Sequence, residues 1–391
     1  MSAVDLSRFA VELSEEQRLI AGSAREVGDR LAEGAAERDQ SREFPIALIR
    51  ELGELGLLAM KVPVEHGGAG ADNLGYVLAM EAIAEGDAAI AVILAASNLA
   101  ASILASHGTD AQRSRWLEPY AAGELGPASF CLTEPGVGSD AAALRTVARR
   151  DGDDYVLDGQ KMWITSGAHA GIYLVFARSG DPSEAAGGRG ISCFVVERGT
   201  PGLTIGKDEP KMGLRASGTV ALFFDGCRIA ADQRVGEEGE GYRIAMSTLG
   251  AGRIGIAAQS IGIGEAALRE GLAYARDRRA FGQAIIDFQN SQFVAADSRC
   301  DLDLAWLAAI RAARLLDRGE RAAMECSMAK LAASEACGRV VDRMLQLHGG
   351  YGYSEEQTIE RLYRDARITR IYEGTSEIQR LVIARELLRR G

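Results

Sequence analysis

The chain is poor in the residues that build metal centres and disulfide frameworks. Only four histidines occur in 391 residues, and no zinc-ligand spacing appears, so no metal is expected. The six cysteines, at 131, 193, 227, 300, 326 and 337, include no C-x-x-C pair. Scattered thiols in a long chain fit a reducing compartment. Basic charge is also short: 44 Lys and Arg face 55 Asp and Glu, a net charge of -11. Nucleic acid and anionic membrane surfaces need a basic face, so neither is expected as the main partner. A local basic site for a phosphorylated ligand stays open. The opening run MSAVDLSRFAVELSEEQ lacks the basic and apolar regions of a secretory leader, so a cytoplasmic, bacterial-type location is expected. One window, AAIAVILAASNLAASILASH, is about as long as a bilayer span. Ser97, Asn98 and Ser102 interrupt it and alanine dominates, so it reads as a buried core helix and no membrane span is expected.

Proline gives out partway. All eight prolines lie at or before Pro210. A proline inside a helix costs about 3 kcal/mol, so the proline-free remainder permits long helices. It is also periodic: segments such as YRIAMSTLGAGRIGIAAQSIGIGEAALREGLAYARDR and ERAAMECSMAKLAASEACGRVVDRMLQLHGG carry apolar residues every three or four positions. This reads as a bundle of antiparallel helices. Residues 1–125 are helical too, with Pro45 placed to start one helix and KVPVEHGGAGAD breaking the pattern. The middle differs, with short β-branched runs such as GIYLVFARSG and TVALFFDGCRIA between Asp-Gly and Gly-Gly turns. DGDD, ahead of Tyr155, is a hairpin turn candidate. The expected fold is α+β, mostly α. It comprises an N-terminal helical domain (1–125), a small β-barrel or sandwich domain (126–235) and a C-terminal four-helix bundle (236–391).

Three stretches are too polar and glycine-rich for plain connectors. FCLTEPGVGSD, at 130–140, keeps its backbone bare around Pro135, Gly136 and Gly138, so its N–H groups can face a flat or anionic ligand. An ordinary loop after a strand is the bland alternative. GQKMWITSG, at 159–167, puts Trp163 and Thr165 on one side of a strand; a half-buried strand with no ligand is its alternative. The third is RITRIYEGTSEIQRL. Ser376 with Gln379 matches a capping box, so a helix is expected to start there. Glu373 then lies just before a helix N-terminus, whose dipole favours its charge while burial opposes it. A carboxylate held between those effects suits a general base. The competing reading pairs Glu373 with the arginines of RLYRDARITR.

Together with VPVEHGGAG, RRAFGQ, MAKLAASEA, QLHGGYGYSEE and LYRDARI, these stretches strongly resemble the acyl-CoA dehydrogenase family over nearly the whole chain. The closest likeness is to its short-chain and branched-chain members. The resemblance implies non-covalent FAD and dehydrogenation of an acyl-CoA to the trans-2,3-enoyl thioester, with electrons passing to an electron-transfer flavoprotein. It makes Glu373 the base that takes the proton α to the thioester carbonyl while the β hydrogen leaves as hydride to flavin N5. The backbone N–H of Glu373 and a ribityl hydroxyl of FAD would hold the enolate oxygen. Thr133 and Thr165 would bond the flavin ring, with Trp163 at its edge and Phe130, Leu132, Ile164 and Gly138 around it. Ser139, Arg253, Tyr372 and Gly374 would meet the acyl-CoA. Arg278, Phe281 and Gln289 would serve the diphosphate and adenosine side. Gln346, Leu347, Gly349 and Gly350 would reach FAD of a neighbouring subunit, and Thr375 and Glu377 would complete the site. Such sharing implies a homotetramer, with a dimer as fallback.

Gly252 stands where some relatives carry their base, which leaves that role to Glu373. Gly250 replaces an acid or asparagine that holds the pantetheine arm in many relatives, so an acyl group on a carrier protein stays open as substrate. His66 replaces a usual tyrosine and reads as structural. An oxygen-using flavin oxidase is the alternative chemistry, although classical oxidases are longer. Retention of Glu373 argues against the monooxygenase branch, and intact flavin and base motifs argue against a non-catalytic assembly.

Overall fold

The computed structural model describes residues 9, 11–179 and 187–390. The leader reading at residues 1–8 and part of the loop near residue 180 lie outside them. α1 (Glu15–Ser41) starts at a capping box in which Ser14 and Gln17 bond each other's backbone amides, and Glu15 and Glu16 meet the positive end of the dipole. α2 (Ile46–Glu54) follows Pro45 directly. Asp72 caps α3 (Asn73–Gly86), accepting the Gly75 N–H at 2.7 Å, and Asp87 caps α4 (Ala88–His107). Asp87 also takes Arg38 Nε at 2.8 Å, which ties α4 to α1.

α4 is the long apolar window, and 83% of an 18-residue stretch within it is buried inside the protein. Two of its polar interruptions are partnered: Asn98 accepts the Met60 N–H at 2.7 Å and donates to Leu57 O at 2.8 Å, and Ser102 donates to Asn98 O at 2.7 Å. A helix apolar all round belongs in a core, and this one packs against α3, the long helix below and the β domain. α5 (Asp110–Gln112) and α6 (Glu118–Ala121) flank a π-helical turn at Arg113–Leu117. His66 lies 3.5 Å from Glu118, a local structural contact.

The middle of the chain forms β1 (Ala128–Cys131), β2 (Val147–Asp151), β3 (Asp154–Thr165), β4 (Ile172–Arg178), β5 (Ile191–Glu197), β6 (Leu203–Ile205), β7 (Thr219–Ala230) and β8 (Arg234–Val235). The sheet order is β6-β7-β3-β2-β4-β5-β8, with β1 parallel to β4. The DGDD turn is a hairpin that joins β2 to β3, with Asp151 opposite Asp154. The β3–β7 register slips between Lys161 and Ile164, a bulge that matters below.

α7 (Gly241–Asp277) is followed by the hairpin β9 (Arg279–Ala280) and β10 (Gln283–Ala284). Then come α8 (Gln289–Asp317), α9 (Ala323–His348), α10 (Thr358–Ala366) and α11 (Ser376–Arg390). α7 packs along α9, α3 and α8, and α11 along α9. Arg25 of α1 bridges Glu81 and Glu85 of α3, and Glu85 also takes Arg269 of α7, so buried charges join the two helical layers. α11 starts at Ser376 as expected, but its cap differs. The Thr375 hydroxyl accepts the Ile378 N–H at 3.3 Å, while Ser376 donates to Glu335 of α9 at 2.7 Å. Gln379 does not close a box; it turns back to the carbonyls of Glu373 and Gly374.

Candidate active site

Glu373 sits on the short segment between α10 and α11, with φ 49, a left-handed conformation that a non-glycine residue adopts at a cost of roughly 1–3 kcal/mol. Gly374 follows at φ 90 and continues the sharp turn without strain. Two fully buried side chains hold this turn. Lys330 Nζ of α9 and Gln379 Nε2 of α11 each donate to Gly374 O at 2.8 Å, and Gln379 also reaches Glu373 O at 3.3 Å. Tyr372, just before, donates its hydroxyl to Gln259 of α7, whose amide donates to Ala88 O at the start of α4. The base candidate is therefore pinned from four helices.

Among the described residues the Glu373 carboxylate forms no ion pair, and its Oε2 is buried without a hydrogen-bond partner. It lies 3.4 Å from the point where a Cβ on Gly252 would stand, so the missing side chain leaves it room. Burial pushes the Glu373 carboxyl up to about 7, against the pull of Lys330, Arg253 and Lys61. The arginines of RLYRDARITR do not pair with it: Arg364 bonds Asp39 and Glu360, and Arg370 lies 3.6 Å from Glu335. Arg253 is buried, donates to Ser327 at 2.9 Å, and is lowered from its usual value by desolvation. Burial also brings the Lys330 ammonium down to about 8. Among the described residues, the backbone amide of Glu373 has no acceptor.

Thr133, Trp163 and Thr165 come together on the β domain. Met162 N–H donates to Thr133 O at 2.9 Å and Ser129 donates to Thr165 O at 2.8 Å, which fixes the 130–140 loop against β3. At the bulge Trp163 takes φ 61 and stays 56% exposed, while Ile164 is buried and Phe130 and Leu132 face the core. Beneath the loop, Lys161 and Glu134 form a buried ion pair at 2.8 Å. Glu134 also accepts the amides of Arg145 and Thr146 at 2.7 and 2.9 Å. Burial raises the Glu134 carboxyl, but the Lys161 charge and the hydrogen bonds outweigh it and hold it below its usual value. Gly138 and Ser139 are exposed at the loop tip.

A separate hollow of about 520 Å³ is lined by Tyr274, Arg278, Leu347, His348, Gly349, Gly350 and Tyr351, among others. The sequence reading split Arg278 from the 346–350 stretch; the structure brings them to one hollow. Gln346, Gln289 and Phe281 are exposed nearby in the chain, Phe281 by 96% at φ 50. Thr375 is half-buried as the cap of α11, and Glu377 is exposed beside it. The residues fit a flavin nucleotide. A flat apolar ring needs cover at Trp163, and Cβ atoms at Gly136, Gly138, Gly349 and Gly350 would meet nothing within 4 Å, so backbone is open to a ligand at both places.

Several residues that shape the site escaped the sequence reading. Lys61, Lys330 and the Lys161–Glu134 pair were not singled out, and Gln379 was read only as part of a capping box, not as the clamp on the Glu373–Gly374 turn. A signal existed for Lys330: it falls with Cys326, Ala329 and Ala333 on the buried stripe of α9, where a lysine is out of character.

Comparison with known proteins accounts for the arrangement. The models of the acyl-CoA dehydrogenase N-terminal, middle and C-terminal domains match residues 14–124, 129–227 and 239–388. The chain is 46% identical over 383 residues to the mitochondrial short-chain specific acyl-CoA dehydrogenase of Rattus norvegicus, covering 97% of this chain and 92% of that protein. It overlays the butyryl-CoA dehydrogenase of Megasphaera elsdenii with a TM-score of 0.93 at 40% identity, covering 97% and 99% of the two chains. A chain from a structure of the electron transferring flavoprotein of Acidaminococcus fermentans gives 0.94 at 40% identity, covering 97% and 99%. The protein belongs to the acyl-CoA dehydrogenase family, FAD-dependent oxidoreductases that act on CH–CH bonds.

Proposed function

We propose that the protein dehydrogenates a short-chain acyl-CoA to its trans-2,3-enoyl thioester, with Glu373 as the base that takes the α proton. The observation that carries this is the sealed, unpartnered Oε2 of Glu373 beside Gly252. A base whose pKa lies near neutrality is ionised in a large fraction of molecules around neutral pH and still basic enough to accept a proton. Cations at Lys330, Arg253 and Lys61 keep the ionised form within reach despite burial. The Glu373 amide is suited to donate to the thioester oxygen as negative charge grows there, worth about 2.7–4 kcal/mol in a water-excluded site. FAD, when bound, supplies the acceptor for the β hydrogen, which leaves with its electron pair as hydride. Thr133, Trp163 and Thr165 hold the flavin ring end in this reading; Arg278, Gln289, Leu347, Gly349 and Gly350 hold the diphosphate and adenosine end.

The short-chain preference is supported by the names of the relatives and by crowding at the base. Leu99 Cδ1 lies 2.7 Å from where a Gly252 Cβ would stand, so α4 presses close to α7 beside Glu373. Electrons would pass to an electron-transfer flavoprotein. A carrier-bound acyl group is the second reading, favoured by the open space at Gly250, where a Cβ would meet nothing within 4 Å. Anaerobic flavin bleaching by butyryl-, hexanoyl-, isovaleryl- and palmitoyl-CoA, and by butyryl-carrier protein, tests both. Butyryl-CoA is expected to bleach fastest, and preference for palmitoyl-CoA or the carrier thioester would overturn the short-chain CoA reading.

A further inference from the structure

Lys330 presents a puzzle of charge. It is fully buried, its ammonium donates to Gly374 O at 2.8 Å, and no carboxylate lies within ion-pairing distance among the described residues. Burying an ammonium without a close counter-ion costs several kcal/mol. Holding the carbonyl does not require that charge, because the neutral amide of Gln379 donates to the same oxygen at the same 2.8 Å. The charge therefore has another use, and the group it faces with an open lone pair is the Glu373 carboxylate, next in the chain to the carbonyl it holds.

We infer that Lys330 is a positioning residue for the base, its ammonium fixing the Glu373–Gly374 turn and setting a positive charge beside the Glu373 carboxylate. The inference rests on Glu373 being the base. Other groups share the neighbourhood. Glu373 faces Arg253 of α7, Lys61 of the loop before α3, Tyr76 of α3 and Tyr372; Lys330 also faces Arg253, Glu335 of α9 and Glu377 of α11. Among the cations, Lys330 is the one whose influence on Glu373 is largest and the one bonded to its turn. Gln379 supplies the same clamp without charge, so the two side chains separate the geometric part of the device from the electrostatic part.

The test compares Lys330→Met, Lys330→Gln and Gln379→Leu in the FAD-loaded enzyme. The first readout is an infrared titration of the protonated Glu373 carboxyl, assigned by its loss in Glu373→Gln; it does not depend on turnover. Both Lys330 variants should move the midpoint upward from about 7. Gln379→Leu should leave the midpoint in place and lower kcat at every pH. In the Lys330 variants kcat at pH below the wild-type midpoint should fall about tenfold per unit of midpoint shift and recover in alkali, since only the ionised fraction works. Lys330→Gln keeps a donor at the carbonyl and carries the test where Lys330→Met loses its fold. A midpoint in Lys330→Gln that coincides with the wild type overturns the inference, as does an equal shift in Gln379→Leu. Failure of the base assignment reads differently: Glu373→Gln would then still turn over acyl-CoA, whatever the titrations show.

Discussion

At the scale of the residue, Glu373 combines three costs: a left-handed backbone, a buried acid and an oxygen with no partner. Natural sequences tolerate such conflicts where function needs them. The acid leaves a thermodynamic trace. Its carboxyl titrates near 7 in the fold against 4.5 ordinarily, so between those values the folded state binds the extra proton and stability declines as pH rises. Glu373→Gln removes that burden. Its Tm should match the wild type near the lower value, exceed it increasingly up to about 7, and keep a constant lead just above. A constant difference across the range, read by calorimetry, would remove the buried-acid account. The oddity of Glu373 was legible from its neighbours, a glycine and a helix start. The cations around it were not, because Lys61, Arg253 and Lys330 come from separate segments that only tertiary packing brings together.

At the scale of the element, β3 does two jobs with one irregularity. The bulge after Lys161 turns Trp163 outward, and Lys161 itself points inward to Glu134 beneath the 130–140 loop. Lys161→Met leaves the Glu134 carboxylate buried without its cation, at a cost of about 3–5 kcal/mol. Denaturant melts should show that loss, and FAD content should fall as the Thr133 loop loosens. Normal FAD retention in a destabilised variant would separate the pair from the cofactor site. The β2–β3 hairpin was readable, because DGDD suits a tight turn and its flanks alternate. The cap of α11 was misread by one position. Thr375 and Ser376 are both good caps, and the choice falls to Glu335 on another helix, which takes the serine hydroxyl. Local patterns do not carry that information.

At the scale of the whole molecule, the order of helices, β domain and helices was visible in proline and periodicity alone. The grouping of Arg278 with Leu347, Gly349 and Gly350 was not, since it depends on how the end of α7 meets the end of α9. That hollow is lined by none of Thr133, Trp163 or Thr165. An FAD held by its ring on one copy is then expected to reach the hollow of a second copy, in a homotetramer built from dimers. Light scattering should give a flavin-loaded oligomer, and Arg278→Ala should lose FAD and dissociate in parallel. A flavin-loaded monomer would contradict the shared site. The buried bridge from Arg25 to Glu81 and Glu85 ties α1 to α3, so Arg25→Ala should cost about 3–5 kcal/mol in denaturant melts. A cost near that of a surface pair would show that the bridge is not what joins them.

The central claim is that Glu373 takes the α proton. A 3-thia-acyl-CoA bound to the oxidised enzyme in deuterium oxide tests it, because the α carbon can exchange its hydrogen while the sulfur denies a β hydride. Mass spectrometry of the recovered ligand should show α-deuterium with the wild type, and at least about 10²–10⁴-fold slower incorporation with Glu373→Gln at unchanged FAD content. Equal incorporation by the two proteins would contradict the account.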